Sequence, residues 1–321
     1  MRVSRFPTRS LVAALGLGLL APALAAADTV ESPEIAVPAD EVIVDQKAAC
    51  ECDESPNQGR LSLGAGLDVP TAYFFRGILQ ERDGGILQPY AELTIDLWEN
   101  DAGQSLSLVG GIWNSVHTNK TGATSSPSNW YESDVYAGLS LGLSDFLSSD
   151  LTYIAYTSPN GAFSTVQELD LGLSIDDSAW LPEHFSTSPY MTWAFEIDRA
   201  AFGASDKEGI YLELGAEPSY EFGSETAYPV TLSVPLALGL SVSNYFDVVD
   251  EVTGQKVSSD TFGFFDAGIG LSVPLAFVDP KLGSWSVSAA FHGLSLSGDL
   301  ADANRGDGFF PWGTLGIAME Y

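Results

Sequence analysis

From Arg60 to Tyr321 the chain alternates apolar and polar residues with a period of two, the pattern of strands that show one face to an apolar medium and the other to water. In the first run Leu61, Leu63, Ala65, Leu67 and Val69 share a face, and Ser62, Gly64, Gly66 and Asp68 share the opposite one. Leu87, Pro89, Ala91, Leu93, Ile95 and Leu97 repeat the arrangement against Gln88, Tyr90, Glu92, Thr94 and Asp96. It is clearest in Val230, Leu232, Val234, Leu236, Leu238, Leu240 and Val242. The runs predict strands near 61–78, 86–98, 104–116, 131–143, 149–157, 166–176, 188–198, 208–221, 229–242, 261–274, 284–296 and 309–321.

Twelve is an even number, as a closed antiparallel barrel with both ends on one side requires. Most runs match the roughly 9–11 residues a tilted strand needs to cross a bilayer. The connectors fit short inner turns and longer outer loops: 117–130, 243–260 and 297–308 fall outside, and 99–103, 144–148 and 222–228 fall inside. Only the inner connector at 177–187 is longer than that scheme wants. Tyr73, Phe75, Trp98, Trp130, Tyr131, Trp285, Phe309, Phe310, Trp312 and Tyr321 cluster near strand ends, where aromatic girdles belong. The last strand places Leu315, Ile317, Met319 and Tyr321 on one face, an ending that resembles the C-terminal sorting signal of outer-membrane barrels. A secreted β-sandwich would explain the alternation but not this ending. The expected fold is all-β: a transmembrane antiparallel up-and-down β-barrel of about twelve strands over residues 60–321.

Upstream the character changes. Arg2, Arg5 and Arg9 precede an apolar run from Leu11 to Leu24 and the small residues up to Ala27, the order of a secretory signal peptide over residues 1–27. Residues 28–59 carry Pro33, Pro38 and Pro56, nine acidic side chains and one Lys47, too little apolar surface to fold alone. A disordered, acidic periplasmic extension is expected there. Cys50 and Cys52 within it form a lone C-x-C pair, which is read as a local disulfide or free thiols rather than a metal or redox centre.

Charge narrows the partners. The chain carries a net charge of −30, and loss of the three leader arginines leaves ten Lys and Arg against 43 Asp and Glu, or −33. No basic patch exists to offset phosphate, so nucleic acid is excluded. No later stretch reaches the roughly 18 consecutive apolar residues of a spanning helix.

One segment resembles a known family. Tyr73-Phe74-Phe75-Arg76-Gly77-Ile78-Leu79-Gln80 is similar to the Tyr-x-Phe-Arg-Gly-x-x-Gln signature that ends the first strand in a family of uncharacterised proteobacterial outer-membrane barrels. Gly111-Ile112-Trp113-Asn114-Ser115-Val116 resembles that family's Gly-x-Trp-x-Ser segment. The chain departs at Leu79, where the family has Ser or Thr, and at Pro89-Tyr90-Ala91, where it has a Gly-rich segment. The resemblance covers under a quarter of the chain and implies location and architecture, not an activity.

If the apolar faces meet lipid, the opposite faces line a lumen containing Asp68, Glu92, Asp96, Glu132, Asp134, Glu168, Asp170, Glu196, Asp198, Glu213, Glu217, Asp266 and Glu320, opposed by Arg60 and Arg76. Glu132, Asp134, Glu168, Asp170, Glu196, Asp198 and Glu213 fall toward the outer half and are expected to form an acidic ring, with Arg76 as its counter-charge. Such a ring concentrates cations and repels anions. The implied function is a porin-like channel for passive diffusion of small cationic or neutral solutes. The alternative is a closed barrel with a structural, adhesive or assembly role through its outer loops.

Catalytic chemistry is not expected. His117 sits beside Ser115 and Thr118 without an evident carboxylate partner, and His184 falls in an inner connector. His292 and Ser295, three apart along a strand, point to opposite faces. Asp302-Ala303-Asn304-Arg305-Gly306-Asp307-Gly308 spaces oxygens like a calcium loop but lacks the distal Glu, and is read as a polar surface loop. No cofactor and no metal are expected. The implied partners are outer-membrane lipid and lipopolysaccharide, the barrel-assembly machinery reading the strand that ends in Tyr321, and small cations or solutes.

Overall fold

The computed structural model describes residues 59–122, 129–201, 207–249 and 256–321. The expected signal peptide, the acidic extension up to residue 58 and the Cys50/Cys52 pair lie outside the described residues. In chain order the strands are β1 (Leu61–Pro70), β2 (Tyr73–Phe75), β3 (Ile78–Glu81), β4 (Ile86–Glu99), β5 (Ser105–His117), β6 (Trp130–Ser144), β7 (Leu147–Thr157), β8 (Val166–Ile175), β9 (Phe185–Ser186) and β10 (Tyr190–Asp198). They continue with β11 (Ile210–Ala216), β12 (Ser219–Phe222), β13 (Val230–Ser233), β14 (Leu236–Ser243), β15 (Asp247–Val249), β16 (Lys256–Ser259), β17 (Phe262–Pro274), β18 (Ser284–Leu296) and, after helix α1 (Gly298–Ala303), β19 (Phe309–Glu320).

The sheet closes on itself. β1 pairs antiparallel with β4 on one side and with β19 on the other, and β14 pairs with β17 to complete the ring. The result is a closed barrel of twelve antiparallel staves, because β11 with β12 and β13 with β14 each form one stave. Pro218 and Pro235 sit at the two interruptions; a proline has no N–H to give the ladder. Pairing keeps one register across both breaks, from Leu212↔Leu240 to Ser219↔Ser233.

Period two decides what faces where. Leu63, Leu93, Leu139, Leu171 and Ile269 are exposed on the outer surface, whereas Asp68, Gln88, Glu92, Thr152 and Thr192 are buried inside. Several inward aromatic rings lie flat against glycines directly opposite: Tyr90 against Gly66, Tyr136 against Gly111, Tyr190 against Gly215 and Phe264 against Gly239. A Cβ at Gly66 would collide with the Tyr90 ring and stand 2.8 Å from the Ile317 carbonyl oxygen. Glycine there lets a large ring cover the wall without bending it.

The first strand departs from expectation. The run at 61–78 does not continue as one stave: β1 stops at Pro70, and the chain turns into the lumen as a two-stranded hairpin, β2 and β3. Arg76 and Gly77 both take positive φ, 45° and 86°, the conformation that a two-residue hairpin turn demands. Tyr73, Phe74 and Phe75 continue the apolar run, but their faces meet interior clusters instead of lipid. Tyr73 and Phe75 pack with Trp113, Tyr131 and Tyr156; Phe74, Ile78 and Leu79 pack with Phe246, Leu300 and Phe310. The hairpin thus divides the loop-side half of the lumen into two packed halves. For the same reason Tyr73, Tyr131 and Phe310 are buried inside rather than set in an outer girdle, while Trp98, Trp130, Phe309 and Tyr321 are exposed.

Candidate functional site

Arg76 stands at the tip of the inward hairpin and is the one buried Lys or Arg among the described residues. Its guanidinium donates to Glu168 through both terminal nitrogens, at 2.8 and 2.7 Å, and to the Tyr245 hydroxyl at 2.7 Å. Asp170 lies 3.9 Å from it. The Tyr211 ring faces the guanidinium at 4.4 Å, with Phe75 and Tyr245 at 5.2 Å each. Burial alone would lower the pKa of Arg76, but Glu168 foremost, then Tyr245, Tyr156 and Asp170, drive it well above its ordinary value. The group is a fixed cation, and its flat fork suits a two-pronged grip on a carboxylate.

The carboxylates form an arc, not the expected ring. Glu132 and Asp134 on β6, Glu168 and Asp170 on β8, Glu196 on β10 and Glu213 on β11 are all buried along one side of the wall. The opposite side at this level is apolar, filled by Phe264, Leu294 and Phe310 beneath Phe246 and Leu300. Tyrosines satisfy much of the arc: Tyr73 donates to Glu132 at 2.7 Å, Tyr156 to Glu168 at 3.1 Å, and Tyr190 and Tyr211 to Glu213 at 2.8 and 2.6 Å. Glu196 accepts from the backbone N–H groups of Ala201 and Gly209 at 2.5 Å each. Oδ1 of Asp134 and both carboxylate oxygens of Asp170 find no hydrogen-bond donor.

Three predicted residues stand apart. Glu92, on β4, is buried but held by Tyr136 at 2.9 Å. Asp266 pairs with His292 at 3.0 Å on the far wall. Asp198 is not in the lumen: a bulge between Glu196 and Asp198 pairs Asp198 with Gln167, and it is exposed, accepting from the Gln167 amide at 2.9 Å. One extra residue reverses the facing of everything beyond it.

The structure also supplies the partner that His117 lacked in sequence. Glu81, at the end of β3, accepts from the Thr121 hydroxyl and from the backbone N–H groups of Arg82 and Asp83 at 2.9 and 2.7 Å. Burial pushes the Glu81 carboxyl up, but the Thr121 hydroxyl and these N–H groups outweigh it, and its pKa falls below the ordinary 4.5. Thr121 has one proton, spent on Glu81, so it accepts from His117 Nδ1 at 2.9 Å; His117 Nε2 then accepts from Ser115 at 2.8 Å. That proton order matches an activated serine, yet Ser115 and His117 are fully buried and Tyr131 stacks on the His117 ring at 4.6 Å. The relay is a tie between the wall and the hairpin.

A second tie comes from the loop read as polar surface. Asn304 is buried; its amide donates to the carbonyls of Gly77 and Leu300, both at 2.8 Å, and its oxygen accepts from the Leu79 N–H at 2.8 Å. His292 and the exposed Ser295 do take opposite faces. Among the described residues no three His, Cys, Asp or Glu side chains are grouped to hold a metal ion.

A closed barrel with an apolar outer surface and a polar, carboxylate-bearing interior belongs to the transmembrane β-barrels. No family model matches the chain, and no curated protein matches it. Among solved structures, an outer-membrane channel from Pseudomonas putida F1 matches at 9% identity and a TM-score of 0.44, over 81% of this chain and 94% of that one. LpxR from Salmonella typhimurium matches at 10% and 0.43, over 80% and 99%. The β domain of the Bordetella autotransporter BrkA matches at 9% and 0.38, over 81% and 98%. Similarity this low carries neither activity nor site residues to this chain.

Proposed function

We propose that the protein is an outer-membrane channel for small cationic and neutral solutes, shut in the described conformation by its β2–β3 hairpin. The observation that carries this reading is the position of Arg76: the one buried Lys or Arg among the described residues, facing an arc of six carboxylates and mounted on a hairpin that is not part of the barrel wall. Withdrawal of the hairpin leaves an uncompensated acidic surface along the axis, which raises local cation concentration and repels anions. The apolar outer surface supports the outer membrane as its location, with both ends of the barrel wall, at β1 and β19, on the periplasmic side.

A second reading, a permanently closed barrel acting through its loops, is favoured by the two apolar clusters that pack the hairpin in place. Planar-bilayer currents of the refolded wild type and of Arg76→Ala decide between them. The channel reading expects rare openings in the wild type and frequent openings in the variant. A folded Arg76→Ala barrel that stays silent leaves the closed reading.

A further inference from the structure

Beside the Arg76 pocket, at the loop end of the barrel, lies a cavity of about 570 Å³, a size suited to a small organic ligand. Four aromatic side chains line it: Phe75 from the hairpin, Tyr131 from β6, Tyr156 from β7 and Phe163 from the 158–165 connector. Phe163 meets the Tyr131 ring edge-on at 5.6 Å, and Phe75 meets Tyr156 in the same manner at 5.2 Å, so the rings form two braced pairs. Three carboxylates border the space, Glu132 at depth with Asp198 and Glu208 at the rim, against one cation, the exposed Arg199.

From this arrangement we infer that the cavity is a binding site for a small organic cation of the alkylammonium class. The protein already performs the same recognition next door, where Arg76 is held between a carboxylate and the faces of Tyr211, Phe75 and Tyr245. Phe75 and Tyr156 serve both sites: each lines the cavity, while Phe75 faces the guanidinium and Tyr156 donates to the Glu168 that grips it. Aromatic faces attract a cation whose hydration is weak, and the carboxylates fix its sign. A hydrated metal ion would gain little from such walls, and an anion would meet three carboxylates.

The inference rests on the channel reading only for the site's place on the solute's route. Occupancy is an equilibrium property, so a missing conductance and a missing site are told apart. The test is calorimetric titration of the folded, detergent-solubilised full chain with choline chloride. A parallel titration uses choline's uncharged carbon analogue, in which a tert-butyl group replaces trimethylammonium. Choline is expected to bind about tenfold more tightly than the analogue, and Phe163→Leu with Glu208→Gln to weaken it about tenfold while the analogue changes little. Glu208 is exposed, so Glu208→Gln alone gives a weaker form of the same reading if the double variant does not fold. Equal binding of both probes, no binding of choline, or a choline affinity unmoved by these substitutions overturns the inference.

Discussion

Arg76 and Glu168, 92 residues apart in the chain, meet in a two-pronged ion pair with bonds of 2.8 and 2.7 Å, and both side chains are withdrawn from solvent. One residue sits on the hairpin and the other on the wall, so this pair is the main polar fastening of the plug. Removing one partner strands the other charge in the interior, which costs about 3–5 kcal/mol. Arg76→Ala and Glu168→Ala are each expected to destabilise the folded barrel by about that amount, while the double variant loses less than the sum. Arg76→Lys restores little, because an ammonium cannot grip both oxygens. Urea unfolding followed by tryptophan fluorescence measures all four, and strictly additive effects would show that the pair is not coupled.

Acidification should loosen the second fastening. Glu81 has its pKa lowered in the folded state, so its contribution is complete above the ordinary value of 4.5 and is lost as pH falls through the folded value. Protonated Glu81 no longer attracts the Thr121 hydroxyl or the Arg82 and Asp83 N–H groups as strongly. Glu81's own contribution to the open probability is expected to be constant above about pH 4.5 and to rise below it, and Glu81→Gln removes that part of the rise. A rise of equal size in Glu81→Gln would assign the effect to other carboxylates.

The rings laid against glycine give a test of the wall itself. Gly66→Ala forces the Tyr90 ring and the Ile317 carbonyl apart and is expected to cost about 1–3 kcal/mol. Gly64, two residues earlier on the same face, has nothing within 4 Å of an added Cβ, so Gly64→Ala should stay within about 0.5 kcal/mol of the wild type. Comparable losses in both variants, read from the same unfolding curves, would contradict the ring-on-glycine account.

The staves were legible in the sequence because burial on one face alone writes a period of two, and runs such as Val230 to Val242 keep it across Pro235. The hairpin was not, because Tyr73, Phe74 and Phe75 are apolar on both faces and read as more of the first strand. Both faces are apolar because each meets its own cluster. The one local cue was Gly77, which takes the positive φ of the turn freely, whereas Arg76 before it takes positive φ against the usual preference of its side chain. The inward carboxylates followed from the alternation, Glu213 and Asp266 included, except at Asp198, which the bulge after Glu196 turns outward. The relay from Ser115 through His117 and Thr121 to Glu81 joins β5, an outer loop and the hairpin, and no spacing along the chain announces it. Asn304 hid within a polar loop whose composition says surface, although its side chain bridges the hairpin backbone.

If a hairpin-released barrel conducts through an acidic passage, the reversal potential under a KCl gradient reports the charge that lines it. The measurement compares Arg76→Ala with the same protein in which Glu132, Asp134 and Asp170 are also neutralised to Gln, Asn and Asn. Arg76→Ala is expected to give a cation-selective reversal potential that moves clearly toward zero once the three carboxylates are gone. Channels that open with no ion preference, or a preference unchanged by neutralisation, would rule out an acidic passage.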